Sequence, residues 1–260
     1  MTTTSAHLLL LGHGSHLDPN SSVPVHALAS HLRSLGYFAG TSVGFWKEEP
    51  SLSRCLDAFR PGETVVAVPI FISTGYFVQD VIPRELGLNG SVGRTVGDAV
   101  RRPDTHMVRG IEVRYTVPVG RHPRLAEVIA LRASEAGAGP RDAVAVLGHG
   151  TRRNPDSERN VFAQAERLRA TGAFAEVTTV FMDQEPAMAG VFDLVAAERV
   201  FMVPLFIAEG WHVAQTIPDE LALEGAEVRR GGRRLIYTAP VGTHPSLAQV
   251  VLEIVREALV

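Results

Sequence analysis

Cysteine occurs once in the 260 residues, at Cys55, which excludes an intramolecular disulfide framework and any thiolate-rich zinc or iron–sulfur centre within one chain. Long hydrophobic runs are missing too. The first apolar stretch, Leu8-Leu9-Leu10-Leu11, is too short to cross a bilayer and is interrupted at once by Gly12-His13-Gly14. No basic segment of the signal-peptide kind precedes it, so a cytoplasmic protein without a membrane partner is expected. Charge of one sign is not in excess. Lys and Arg total 25 against 28 Asp and Glu, a net charge of -3. That balance gives no support to a nucleic-acid partner, although a local Arg patch can still hold an anion. Also absent are a Gly-rich phosphate loop with Lys-Ser/Thr, a short-spacing zinc motif and His-Glu-x-x-His. With 45% hydrophobic and 20% charged residues, the chain has the means to bury a sizeable core.

What is present is a duplication. Leu11-Gly12-His13-Gly14-Ser15 returns as Leu147-Gly148-His149-Gly150-Thr151 at an offset of 136, and Phe45 with Glu49-Pro50 returns as Phe181 with Glu185-Pro186. Val68-Pro69-Ile70-Phe71-Ile72, Gly75 and Ile82-Pro83 return as Val203-Pro204-Leu205-Phe206-Ile207, Gly210 and Ile217-Pro218 at an offset of 135. Tyr115-Thr116-Val117-Pro118-Val119-Gly120 with His122-Pro123 returns as Tyr237-Thr238-Ala239-Pro240-Val241-Gly242 with His244-Pro245 at an offset of 122. Four blocks in one order mark a whole-domain repeat, residues 1–137 and 138–260. The first copy is longer by 13 residues, which fall in 87–110, a Gly-rich stretch with Arg94, Arg101, Arg102 and Arg109. It reads either as a solvated excursion or as a mobile flap carrying guanidinium groups.

Each copy reads as four strand–helix units. In the first, strands are expected at 8–11, 41–45, 65–71 and 111–118, with helices at 24–35, 50–58, a short one from Ile82-Pro83, and one from Pro123 to about Gly137. In the second, Val161, Ala165 and Leu168 share one helical face, as do Leu247, Val251, Ile254 and Ala258. The pattern predicts α/β domains, each with a mainly parallel four-stranded sheet flanked by helices, facing each other across a cleft.

Ligands of such sheets gather beyond the carboxyl ends of the strands. His13 and His149 each follow a first strand, between glycines. The third-strand block breaks the symmetry: Gly75-Tyr76-Phe77-Val78 in the first copy stands against Gly210-Trp211-His212-Val213 in the second. His149 and His212 are therefore the candidate pair for ligating a divalent metal or taking protons, and His13 lacks such a partner. Glu185, after the second strand, is a candidate ligand or orienting carboxylate, or else a helix cap; Asp183 is an alternative acid. The two histidines lie 63 positions apart. That separation implies an open site of low coordination which exchanges its metal.

At these residues the chain resembles the sirohydrochlorin chelatases of the CbiX type, in their two-repeat form, over nearly its whole length. The resemblance rests on Gly148-His149-Gly150-Thr151 and on the segment from Pro204 through Gly210-Trp211-His212-Val213 to Ile217-Pro218. It implies a chelatase fold of two similar α/β domains and a lyase that inserts Co²⁺ or Fe²⁺ into sirohydrochlorin, with Ni²⁺ a further candidate and no organic cofactor. The route served would be cobalamin or siroheme synthesis, by a monomer or a homo-oligomer. Phe77 departs from the family pattern, leaving one competent site per chain. Asp183, after Phe181-Met182, fits the family's acidic position, whereas Glu185 fits the internal repeat better. The resemblance makes His149 and His212 metal-holding and catalytic, assisted by Glu185 or Asp183. Arg152, Arg153, Arg101 and Arg102 would pair with the carboxylates of the tetrapyrrole. Tyr76 and Trp211 would cover its apolar parts, unless they pack in the core. The alternatives are a relative that binds a tetrapyrrole or metal without catalysis, and a ferrochelatase acting on a less carboxylated porphyrin.

Overall fold

The computed structural model describes residues 3–88, 103–150 and 155–260. The leucine run forms β1 (His7–Gly12), whose Leu8 to Leu11 are all buried, as a strand covered on both faces requires. It leads into α1 (Val23–Ser34), β2 (Gly40–Phe45), β3 (Thr64–Pro69), α2 (Ile82–Leu86), β4 (Asp104–Val108), β5 (Ile111–Tyr115) and α3 (Leu125–Glu135). The second copy follows with β6 (Ala143–Gly148), α4 (Pro155–Ala170), β7 (Glu176–Phe181), α5 (Val191–Leu194), β8 (Arg199–Pro204), α6 (Ile217–Leu221), β9 (Glu227–Arg230), β10 (Arg233–Tyr237) and α7 (Leu247–Leu259). The sheets have the same topology, β2-β1-β3-β5-β4 and β7-β6-β8-β10-β9. In each, three parallel pairings are followed by one antiparallel edge pairing.

Five strands replace the expected four. The additional strand arises because β4 and β9 fold back on β5 and β10 through two-residue turns, Arg109-Gly110 and Gly231-Gly232, in which both residues have positive φ. That is the turn geometry whose twist suits a tight hairpin. Part of the 87–110 stretch is thus sheet, and Arg109 sits at the hairpin tip, donating to Asp57 Oδ1 at 2.7 Å. The helix expected at 50–58 is also replaced. Phe45 N donates to Pro50 O and Leu52 N to Phe45 O, so the chain doubles back beside β2 and only a short 3₁₀ turn, Cys55–Ala58, follows. The second copy does the same through Phe181 N and Pro186 O.

Two compact units result, Met1–His122 with Pro245–Val260, and Pro123–His244. They differ from the repeats at 137/138 because the last helix of each repeat covers the other repeat's sheet. Helix α7 packs on β3 and α1, and α3 packs on β8 and α4. Matching polar contacts secure the exchange: the buried His122 meets Glu257 at 3.5 Å, and the buried His244 meets Glu135 at 3.1 Å. Arg132 adds bonds to Pro240 O and Thr243 Oγ1. Among the described residues, no helix is long and apolar enough to cross a membrane.

Cys55 lies inside the first unit, where its thiol donates to Leu52 O at 3.2 Å. Burial pushes this thiol up from 9.0 to about 12. The folded chain holds the proton where an unfolded chain releases it, so the associated stability is complete below pH 9.0 and is lost as pH rises toward 12. Iodoacetamide at pH 8 is therefore expected to leave Cys55 unmodified until denaturant is added. Rapid labelling of the native chain would contradict this burial.

Candidate metal-handling site

In the unit Pro123–His244, β6, β7 and β8 run parallel and deliver their carboxyl ends to one edge of the sheet. His149 directly follows β6. Its carbonyl accepts from Met182 N at 3.2 Å and Asp183 N at 3.0 Å, which ties the end of β7 to the histidine turn. The Asp183 carboxylate then lies 3.2 Å from His149 Nδ1, and Gly150 O lies 2.9 Å from the same nitrogen. An ionised carboxylate and a carbonyl only accept hydrogen bonds, so Nδ1 carries the hydrogen and Nε2 keeps its lone pair. A metal-ligating histidine uses this same arrangement, with an outer acceptor fixing the tautomer.

After β8 the chain turns through Gly210 and Trp211 into one wide π-helical turn, His212–Thr216, before α6. Wide turns of this kind shift a side chain out of helical register and recur at functional sites. Here the turn brings the His212 ring to 5.2 Å from that of His149, with the planes at 83°. Two imidazoles that hold one ion through nitrogen, at about 2.1 Å and a roughly tetrahedral angle, would have centroids about 5 Å apart. The spacing therefore suits a shared ion. Phe206 approaches His149 at 6.3 Å. Tyr237 OH donates to Val213 O at 3.2 Å, anchoring the backbone beside His212, and burial raises its pKa so that the donor proton stays in place. This tyrosine was missed in the sequence, although it opens the last repeated block.

The site is open: the His149 side chain is 44% exposed and that of Asp183 60%. Among the described residues, no group of three or more His, Cys, Asp and Glu side chains forms a ready cage for an ion. Glu185 is not brought to His149. Its Oε2 accepts from Ala187 N at 2.9 Å, as Glu49 accepts from Ser51 N in the first copy, so this repeated glutamate serves its own turn. Tyr76 and Trp211 are 62% and 72% exposed, which removes the core-packing alternative for both. Arg152 and Arg153, with Arg94, Arg101 and Arg102, lie outside the described residues.

The first copy keeps the turn and its histidine and lacks the counterparts of His212 and Asp183. His13 Nδ1 meets Gly14 O at 2.7 Å, its ring abuts Phe77 at 4.6 Å, and its carbonyl accepts from Lys47 N at 2.9 Å. Lys47 thus stands where the second copy has Asp183, and Phe77 where it has His212.

A duplicated, mainly parallel α/β fold with an open imidazole pair at the strand ends defines a protein of the chelatase type. The profile of the CbiX family matches residues 7–136 and again 143–258. A Halobacterium salinarum protein named a probable sirohydrochlorin cobaltochelatase is 38% identical over 269 residues, covering 96% of this chain and 91% of its own. A multi-domain Deinococcus radiodurans protein described as structurally similar to chelatases has a TM-score of 0.84 at 31% identity, covering 98% of this chain and 55% of its own. The sirohydrochlorin chelatase of Bacillus subtilis subspecies spizizenii, solved with cobalt, shares the fold with a TM-score of 0.70 at 18% identity, over 98% of this chain and 95% of its own. The chain belongs to the CbiX family.

Proposed function

We propose that this chain is a sirohydrochlorin chelatase, a lyase inserting Co²⁺ or Fe²⁺ into the tetrapyrrole for cobalamin or siroheme synthesis. The observation that carries the reading is the His149–His212 pair at 5.2 Å with Asp183 on His149 Nδ1. Insertion brings one divalent ion into the ring and releases two pyrrole protons. His149 Nε2 and the His212 ring present the ion. Asp183 keeps the His149 tautomer and offsets positive charge on that ring when it takes a proton. The name carried by the Halobacterium salinarum relative supports the substrate, and the cobalt of the Bacillus subtilis structure supports the ion. Imidazole and carboxylate donors accept cobalt, iron and nickel alike, so supply in the cell would select among them.

The test follows sirohydrochlorin absorbance with Co²⁺, Fe²⁺ and Ni²⁺ in turn. Acceleration over the protein-free reaction with Co²⁺ or Fe²⁺ is expected. No acceleration with any of the three would assign the chain to binding without catalysis. The two acids separate in the same assay. Asp183→Asn is expected to lower turnover about 10- to 100-fold, whereas Glu185→Gln stays within about threefold because its carboxylate serves Ala187 N. The reverse order would make Glu185 the acid of the site.

A further inference from the structure

The two copies also differ at the amino ends of their strands, away from the histidine turns. In the second copy Glu176 opens β7, and its carboxylate accepts from Ala196 N at 3.0 Å and Ala197 N at 2.8 Å. Arg169, on α4, pairs with Glu166 and donates to Val177 O. In the first copy, at the offset of 136, Gly40 replaces Glu176 and Ser30 replaces Glu166. Arg33 keeps the arginine and its backbone bond, to Thr41 O at 2.8 Å. Two acids are gone and the cation stays. We infer that the space so opened is a binding site for a small aromatic carboxylate, held by the Arg33 guanidinium and the rings of His7, Phe38 and Phe59.

A cavity of about 430 Å³ lies at this place, walled by the end of α1, the starts of β1 and β2 and the segment Ala58-Phe59, all of one unit. Its volume is that of a small-molecule site. Among the described residues no carboxylate lines it, and Arg33 forms no ion pair. The bond from Nη2 to Thr41 O fixes the guanidinium and leaves Nε and Nη1 to donate to an anion. Glu63 is engaged elsewhere, its Oε2 accepting from Arg60 N at 2.9 Å and lying 3.5 Å from His7 Nε2. The His7 ring meets the buried Phe59 ring edge-on at 5.2 Å, and Phe38 is half-buried, so a flat apolar body has aromatic walls to meet. Gly40 keeps the cavity open. A β-carbon there would lie 2.9 Å from His7 Nδ1, a conflict that the second copy avoids with Ala143 in the place of His7.

The experiment titrates the full chain, without metal, with 2-naphthoate and with its neutral amide, 2-naphthamide, followed by ligand-observed NMR. The parent is expected to bind naphthoate with a Kd of about 1 mM or tighter, and naphthamide about fivefold more weakly or worse. His7→Ala combined with Gly40→Glu copies Ala143 and Glu176 of the second repeat, and is expected to weaken naphthoate binding about tenfold or more by filling the space and adding a like charge. Arg33→Gln is expected to weaken it about fivefold, with the difference shrinking at high salt. Circular dichroism and melting verify the fold of each variant. Parental naphthoate affinity in the folded double variant would put the probe elsewhere and overturn the site. So would a parent that binds the amide as tightly as the acid, or binds neither. Should the double variant melt early, Arg33→Gln decides, and parental affinity there would overturn the site.

Discussion

His149→Ala and His212→Ala are each expected to lose about 100-fold or more of metal insertion, whereas His13→Ala stays within a few-fold of the parent in turnover. The second unit places two imidazoles 5.2 Å apart with a carboxylate behind one of them. On the proposed reading, removing either ring would leave a single nitrogen ligand in an exposed site, too little to hold an ion against water. His13 has a phenyl ring 4.6 Å away, which offers neither a metal lone pair nor a base. His212→Phe copies the first repeat and should fail as His212→Ala does. Phe77→His alone should not create a second site, because Lys47 remains where Asp183 stands in the other copy. Rates of Co²⁺ insertion, with circular dichroism to verify folding, measure all of these variants. Equal losses in His13→Ala and His212→Ala would contradict the asymmetry.

The second large effect is on stability. Gly242 N donates to Phe206 O at 2.9 Å, and a β-carbon at Gly242 would lie 2.1 Å from Ile207 O; at Gly120 it would lie 1.8 Å from Ile72 O. The obstacle in both cases is backbone, which cannot swing aside as a side-chain tip can. Gly242→Ala and Gly120→Ala are each expected to cost about 3 kcal/mol, lowering Tm by roughly 6–12 °C. Gly242→Ala should also weaken Co²⁺ binding, since the displaced segment carries Phe206 beside His149. Gly190→Ala, where an added β-carbon meets nothing within 4 Å, is the control and should shift Tm by about 1 °C or less. Parental melting of Gly242→Ala would disprove the close approach.

The repeat was legible because the strand ends and turns are spelled by the same residues twice. The central strands were legible because leucine and valine runs buried on both faces have few alternatives. The edge strands were not. β9, Glu-Val-Arg-Arg, and β4, Asp-Thr-His-Met-Val, are short and partly solvated, so they lack an apolar pattern. The Gly231-Gly232 pair that closes one hairpin was the available signal. Helix exchange was illegible for another reason: the apolar face of α3 or α7 states that it needs a sheet and does not state which one. The site shows the limit of repetition as a guide. Recurrence drew attention to Glu185, and recurrence there marks a turn made twice. The differences between copies, Phe77 against His212 and Lys47 against Asp183, mark the residues that converge on one edge. Tyr237 recurs as Tyr115, and both hydroxyls hold the carbonyl just after the variable position, a pairing across sheet and turn that no local spacing encodes.

One ion per chain is expected, held in the unit Pro123–His244. Titration of the purified chain with Co²⁺ alone, followed by ligand-field absorption and equilibrium dialysis, counts the ions held and identifies their ligands. One ion per chain is predicted, with its absorption lost in His149→Ala and in His212→Ala and kept in His13→Ala. Two equivalent ions per chain, or one ion kept by His212→Ala and released by His13→Ala, would contradict the account.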